Sequence, residues 1–200
     1  MAANILRNRM TIFHPPPTSI IWFYREGVHQ PLYKQMKDEQ WVDEFHAISS
    51  ENNFEQIKEI VEALPLTENK ICIYDDLMSD VSKSSSEIFT NLGHHRNMTN
   101  LFISQSIFMN NENLRIMSKN CHYEFFCRHV RSKAQLRTWA RQTDPALSKM
   151  ICQIFDDALK DPFSHLLCAS HPKDTNIQQM IRFRRYNFPN TDVITVYLTK

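Results

Sequence analysis

Short runs of consecutive apolar residues, most of them only three to five long, alternate along this chain with stretches in which apolar residues recur at helical spacing. Ile20-Ile21-Trp22-Phe23-Tyr24 follows Pro15-Pro16-Pro17, and Ile71-Cys72-Ile73-Tyr74, Leu101-Phe102-Ile103-Ser104 and His122–Cys127 come after it. Leu166-Leu167-Cys168 and Val193–Leu198 complete the set of expected strands. Between them, Phe54, Ile57, Ile60, Val61 and Leu64 share one face of a helix that Pro65 stops. Ser84–Leu92 suits a short helix, with serines to cap it and Gly93 as its stop. Ser132–Gln142 and Ala146–Lys160 read as longer helices, the second clearly amphipathic. Strands without polar alternation are buried on both faces, and in alternation with helices they predict a mostly parallel α/β sheet flanked by helices. No repeat, linker or low-complexity block interrupts the pattern, so residues 1–200 read as one domain.

Composition narrows the function classes. The apolar share of 42% and charged share of 22% are ordinary for a globular chain and argue against disorder. The five cysteines, Cys72, Cys121, Cys127, Cys152 and Cys168, form no C-x-x-C pair, which fits a reducing compartment. Cys121, His122, Cys127 and His129 do not have zinc-type spacing, because the YEFF between them is strand-like and alternates faces. The first ten residues, MAANILRNRM, lack a signal-peptide core, and no run approaches the ~18 apolar residues of a membrane span. An intracellular protein, cytoplasmic or nuclear, is expected. Charge is unevenly spread: residues 1–80 hold seven basic and thirteen acidic side chains. Residues 115–142 hold seven basic ones against Glu124 alone, which suits phosphate or nucleic acid or a solvated helix face.

The sharpest local signal is ICIYDDLMSD, residues 71–80, a buried strand that runs directly into two carboxylates. Ligands of parallel α/β sheets bind at the C-terminal ends of the strands. A nucleotide hydrolase uses a first Asp at such a point to hold Mg²⁺ and a second acid to orient the attacking water. A strand ending in a polar turn is the plain structural alternative. The next expected strand, FISQSIF, ends in Gln105, a polar group that can sense a terminal phosphate, and Arg96 precedes it. Taken singly, Gln105 also reads as a cap and Arg96 as a surface charge.

In order and spacing these pieces resemble viral genome-packaging ATPases of the FtsK/HerA type, found in poxvirus-like viruses and in adintovirus and Maverick/Polinton elements. The resemblance runs through Asn4–Tyr24, QPLYKQM (Gln30–Met36), Asp75-Asp76-Leu77-Met78, HHRN (His94–Asn97), FISQSIF, Cys121–Phe126, AQLRTWARQ (Ala134–Gln142) and Ile151–Cys168. It implies a P-loop NTPase-like core, ATP and Mg²⁺ as cofactors, double-stranded DNA as the translocated partner and a homo-oligomeric ring. Residue by residue, it implies Asp75 as the Mg²⁺-associated carboxylate, Asp76 as the catalytic acid and Gln105 as the sensor. Arg96 and Arg141 fall in matched motifs as candidates for phosphate contact or an inter-subunit arginine finger. Arg131, Lys133 and Arg137, in the basic segment, are the candidates for contact with nucleic acid.

The departure from the family is at its start. A G-x-x-x-x-G-K-[ST] loop is absent from these 200 residues, whose only glycines are Gly27 and Gly93. In the family, that loop and its strand lie just upstream of the segment matching Asn4. The expectation is therefore the Walker B and sensor portion of a packaging ATPase, inactive as this chain alone. A non-catalytic nucleic-acid-binding or interaction module descended from it is the first alternative. A Mg²⁺-dependent nuclease built on Asp75 and Asp76 is the second, and it would need further carboxylates around the metal.

Overall fold

The structure, a computed structural model, describes residues 1–28, 30–49, 53–106, 108, 111–128, 133–162, 164–170, 182–186 and 194–197. Its contacts divide the chain into two compact units: Ala2–Gln105 with Met109–Asn120, and Cys121–Lys200 with Ser106–Phe108 and Met1.

The first unit is an α/β layer structure around a four-stranded, all-parallel sheet in the order β2-β1-β3-β4. Its strands are β1 (Ser19–Arg25), β2 (Glu44–Ile48), β3 (Lys70–Asp75) and β4 (Met98–Phe102). The central pair is buried on both faces because successive side chains point to opposite sides. Ile21, Phe23, Cys72 and Tyr74 pack on one side with Phe54, Ile57 and Val61 of helix α4 (Asn53–Ala63). Leu114 and Met117 of helix α7 (Glu112–Lys119) join that layer. On the other side Ile20, Trp22, Ile71 and Ile73 pack with Leu6 of helix α1 (Ala2–Arg7). Tyr33 and Met36 of helix α3 (Pro31–Asp38) and the following Trp41 and Val42 complete it. A short helix α2 (Arg9–Ile12) links α1 to β1. The strand EFHAI of β2 carries no continuous apolar run, which is why the sequence does not announce it.

Between β3 and β4 the chain departs from the expected short helix. A 3-10 turn (Met78–Asp80) leads to helix α5 (Lys83–Glu87), a π turn (Ile88–Leu92) and helix α6 (Gly93–His95). Gly93 has helical dihedrals and does not end the helix. The left-handed residue that turns the chain is Asn97, at φ 48°. Gly93 is instead a close approach: a Cβ there would lie 2.8 Å from Asn100 Nδ2. That amide donates to the Ile88 carbonyl at 3.3 Å, and Asn100 Oδ1 accepts from the Tyr74 hydroxyl at 2.9 Å.

In the second unit the expected parallel pattern gives way to a four-stranded antiparallel sheet, β5 (Tyr123–Cys127), β6 (His165–Ala169), β7 (Arg182–Tyr186) and β8 (Ile194–Tyr197). Two helices, α8 (Lys133–Thr143) and α9 (Ser148–Ala158), separate β5 from β6. A paired helical hairpin returns the chain to the end of the sheet it left, so β6 runs back along β5; a single crossover helix would have made the pair parallel. Phe126, Leu166, Cys168 and Phe183 pack there with Leu136 and Trp139 of α8 and Ile151, Ile154 and Phe155 of α9. The ends of the expected strand Val193–Leu198 lie outside the described residues. Among the described residues no helix is long and apolar enough to cross a membrane.

Candidate functional site at the carboxyl edge of the parallel sheet

β3 reaches the C-terminal edge of the sheet with Asp75, paired through its backbone to Tyr24 of β1. The ladder continues one step past β4, where Ile103 N–H donates to the Tyr74 carbonyl at 3.0 Å. This step carries the β4 chain to Gln105 beside the end of β3. The Gln105 side-chain amide donates to Asp76 Oδ1 at 3.3 Å. The sheet register thus brings Asp75, Asp76 and Gln105, three residues singled out by the sequence, to one place.

Asp75 is half-buried, and the Tyr33 hydroxyl donates to its Oδ2 at 2.7 Å. Burial pushes the Asp75 carboxyl above its usual range, and the neighbouring Asp76 adds to the rise. The Tyr33 hydroxyl opposes that rise, as does the nearby indole of Trp22. Burial and then the Asp75 carboxylate hold the Tyr33 hydroxyl far above its ordinary value, so it remains a donor at every physiological pH. With Oδ2 engaged, Oδ1 has no hydrogen-bond partner among the described residues. A carboxylate held by one oxygen and open at the other suits a hydrated divalent cation.

Asp76 follows in the left-handed region at φ 56°. Its conformation is gripped from β1, whose last residue, Arg25, donates through Nε to the Asp76 carbonyl at 3.4 Å. Nη2 of the same guanidinium bonds the Ser79 hydroxyl and pairs with the Asp80 carboxylate. Sequence reasoning missed both Tyr33 and Arg25. Arg25 had a readable signal, since it directly follows the apolar run Ile20–Tyr24, as Asp75 follows Ile71–Tyr74. Tyr33 lies within the matched QPLYKQM, but nothing in that stretch marks it as a site residue, because only the packing of α3 on the sheet brings it to Asp75.

The remaining candidates lie elsewhere. Arg96 precedes β4 and sits at the N-terminal edge of the sheet. Its Nη1 donates to the carbonyls of Val61 and Leu64 at 3.3 and 3.1 Å, closing the C-terminal end of α4. The structure does not bring it to Asp75 and Asp76. Arg141 belongs to the second unit, exposed on α8, with Nη2 3.3 Å from the Thr138 hydroxyl. Lys133 and Arg137 are exposed on the same helix, so the three basic residues follow one another every four residues along one face. Lys133 also lies 3.5 Å from Asp156. Arg131 lies outside the described residues. The sequence matches no protein-family model, and no curated protein matches it.

Proposed function

We propose that the chain is the Walker B and sensor portion of a DNA-translocating, genome-packaging ATPase of the FtsK/HerA type. One observation carries the reading: consecutive carboxylates leave a central parallel strand at its C-terminal end, and a glutamine from the next strand is hydrogen-bonded to the second. Asp75 would hold Mg²⁺ through its water shell, using the oxygen that Tyr33 leaves open. The metal, when bound, neutralises charge on the β- and γ-phosphates. Asp76 would accept a proton from the attacking water, oriented together with Gln105. Arg96 is engaged in capping α4, so the arginine that neutralises phosphate charge is sought in a neighbouring subunit, with its Arg141 as the candidate.

These residues fit the metal better than the nucleotide. Without a Gly-rich loop ending in Gly-Lys-Ser/Thr, a triphosphate lacks its main set of backbone donors and its lysine. The edge of β4 suits the strand that would deliver such a loop. Among the described residues β4 pairs only with β3, and no charged side chain guards Met98–Ser104 against a further strand.

The experiment compares ATP turnover by this chain with turnover by a version extended upstream through a G-x-x-x-x-G-K-[ST] loop. The chain alone is expected to be inactive, since losing that electrostatic positioning removes orders of magnitude in rate. The extended protein is expected to hydrolyse ATP with Mg²⁺ and to lose that activity in Asp76→Asn. Clear Asp76-dependent turnover by the chain alone, or an extended protein that binds no Mg²⁺–ATP, overturns the reading. Double-stranded DNA binding is expected to weaken as salt rises, and neutralising Arg131, Lys133 and Arg137 together should shallow that dependence by about 0.9 per lost phosphate contact.

A further inference from the structure

We propose that Arg25 is the positioning residue of this site: reaching across from the end of β1, its guanidinium fixes the Asp76 peptide and thereby aims the Asp76 carboxylate at Gln105. Asp76 is a non-glycine residue at φ 56°, and an unrestrained aspartate has lower-energy conformations in the right-handed and extended regions. Any such relaxation redirects both its carbonyl and its side chain. Arg25 opposes it from a rigid base. Its own backbone is registered with Ile48 of β2, and the preceding Tyr24 is registered with Asp75.

From there the planar head group meets the turn at both ends, the Asp76 carbonyl through Nε and Ser79 with Asp80 through Nη2. Holding two points of one turn in a fixed fork is a task for guanidinium and not for a single ammonium. The donors engaged in this grip are turned to the protein's own backbone and side chains, so Arg25 acts through Asp76 and not on a ligand. The functional meaning of the grip rests on the reading of Asp76 as the acid that orients water; the grip itself does not.

The test is a two-dimensional ¹H–¹⁵N spectrum of the labelled full chain, following the Asp76 and Leu77 backbone amides and the Gln105 side-chain amide. In Arg25→Gln the Gln105 side-chain signal is expected to move to the position of a solvated glutamine. The Asp76 and Leu77 signals should shift with it, while Ile21 and Ile73 in the sheet interior stay in place. Asp80→Asn, which loosens the far end of the grip, should shift the same signals in the same direction by less.

If Arg25→Gln does not fold, Arg25→Lys decides: it keeps an ion pair with Asp80 but has no Nε donor for the Asp76 carbonyl. Gln105 moving in that variant supports the proposal. Gln105 and Asp76 signals that stay at the parent positions, in whichever variant folds, overturn it. Mg²⁺–ATP binding by the upstream-extended protein reports separately on the ATPase reading. Its absence would remove that interpretation without moving the Arg25 result, and unchanged Arg25 spectra would leave the nucleotide binding intact.

Discussion

The two edges of the parallel sheet use charge in opposite ways. At the N-terminal edge the cations are consumed by the fold. Lys70, only 2% exposed, donates its ammonium to the Pro65 and Glu68 carbonyls, and Arg96 closes the end of α4. At the C-terminal edge Asp75 is lifted by burial and held through Oδ2 by the Tyr33 hydroxyl, and Asp76 sits in an unfavourable backbone region. One edge spends its polar groups on stability. The other stores groups that cost stability and remain available for chemistry. Residue type alone does not separate the two cases, since both edges border a short apolar strand with charged residues.

The largest expected effect tests the first edge. Lys70→Ala should lower unfolding stability by about 3 kcal/mol, because it strips the Pro65 and Glu68 carbonyls of their donor and empties the space of a side chain that is only 2% exposed. Urea unfolding measures this, and a loss near zero would break the contrast. Arg96→Ala should cost about 1–2 kcal/mol through the uncapped end of α4. It should leave the Gln105 side-chain amide signal where it is, and a shift of that signal would place Arg96 in the site after all.

The second edge should respond with the opposite sign. Asp76→Gly should be more stable than Asp76→Ala by about 1 kcal/mol, since glycine accepts φ 56° without steric penalty. Equal melting temperatures would show that the turn relaxes in solution. The smallest effect is expected from Asp75→Asn, read as a pH profile of stability. The folded Asp75 pKa lies above its unfolded value of 3.8, so the folded state binds more protons in the interval between them. Relative to Asp75→Asn, the parent chain should therefore lose a little stability as pH rises from 3.8 through the raised value, and the difference should then level off. Asp75→Asn should lack this decline and be slightly more stable at neutral pH. A parent-minus-Asp75→Asn difference that rises through the same window would mean that Asp75 is stabilised by a charge partner at this edge.

The parts of this architecture legible in the sequence are those set by local pattern. Ile71–Tyr74 running into Asp75-Asp76 announces a buried strand and its polar end, and Gln105 is placed by the same logic. What escaped depends on contacts between distant segments. Tyr33 meets Asp75 only because α3 packs beside Trp22, and Arg25 meets Asp76 across two strands. Arg96 looked available because a helix terminus needing donors has no signature at the arginine that supplies them. The strands β5 and β6 carry short apolar runs like the parallel ones. Their direction is decided by the helical hairpin between them, a property of the connection and not of the strands.

The π turn at Ile88–Leu92 sets the rotational phase of the helical turn after it. One additional residue in a helical turn rotates everything downstream by roughly 100° about the helix axis relative to an unbroken α-helix. It is this rotation that faces Gly93, the one residue there without a side chain, towards Asn100, whose amide shares the Ile88 carbonyl with the Gly93 N–H. Deleting a single residue within 88–92 would bring the helix back into step and turn a side chain into that gap. The segment can therefore tolerate substitutions more readily than a change in its length: its residue count works as a vernier that aligns β4, and with it Gln105, against the end of β3.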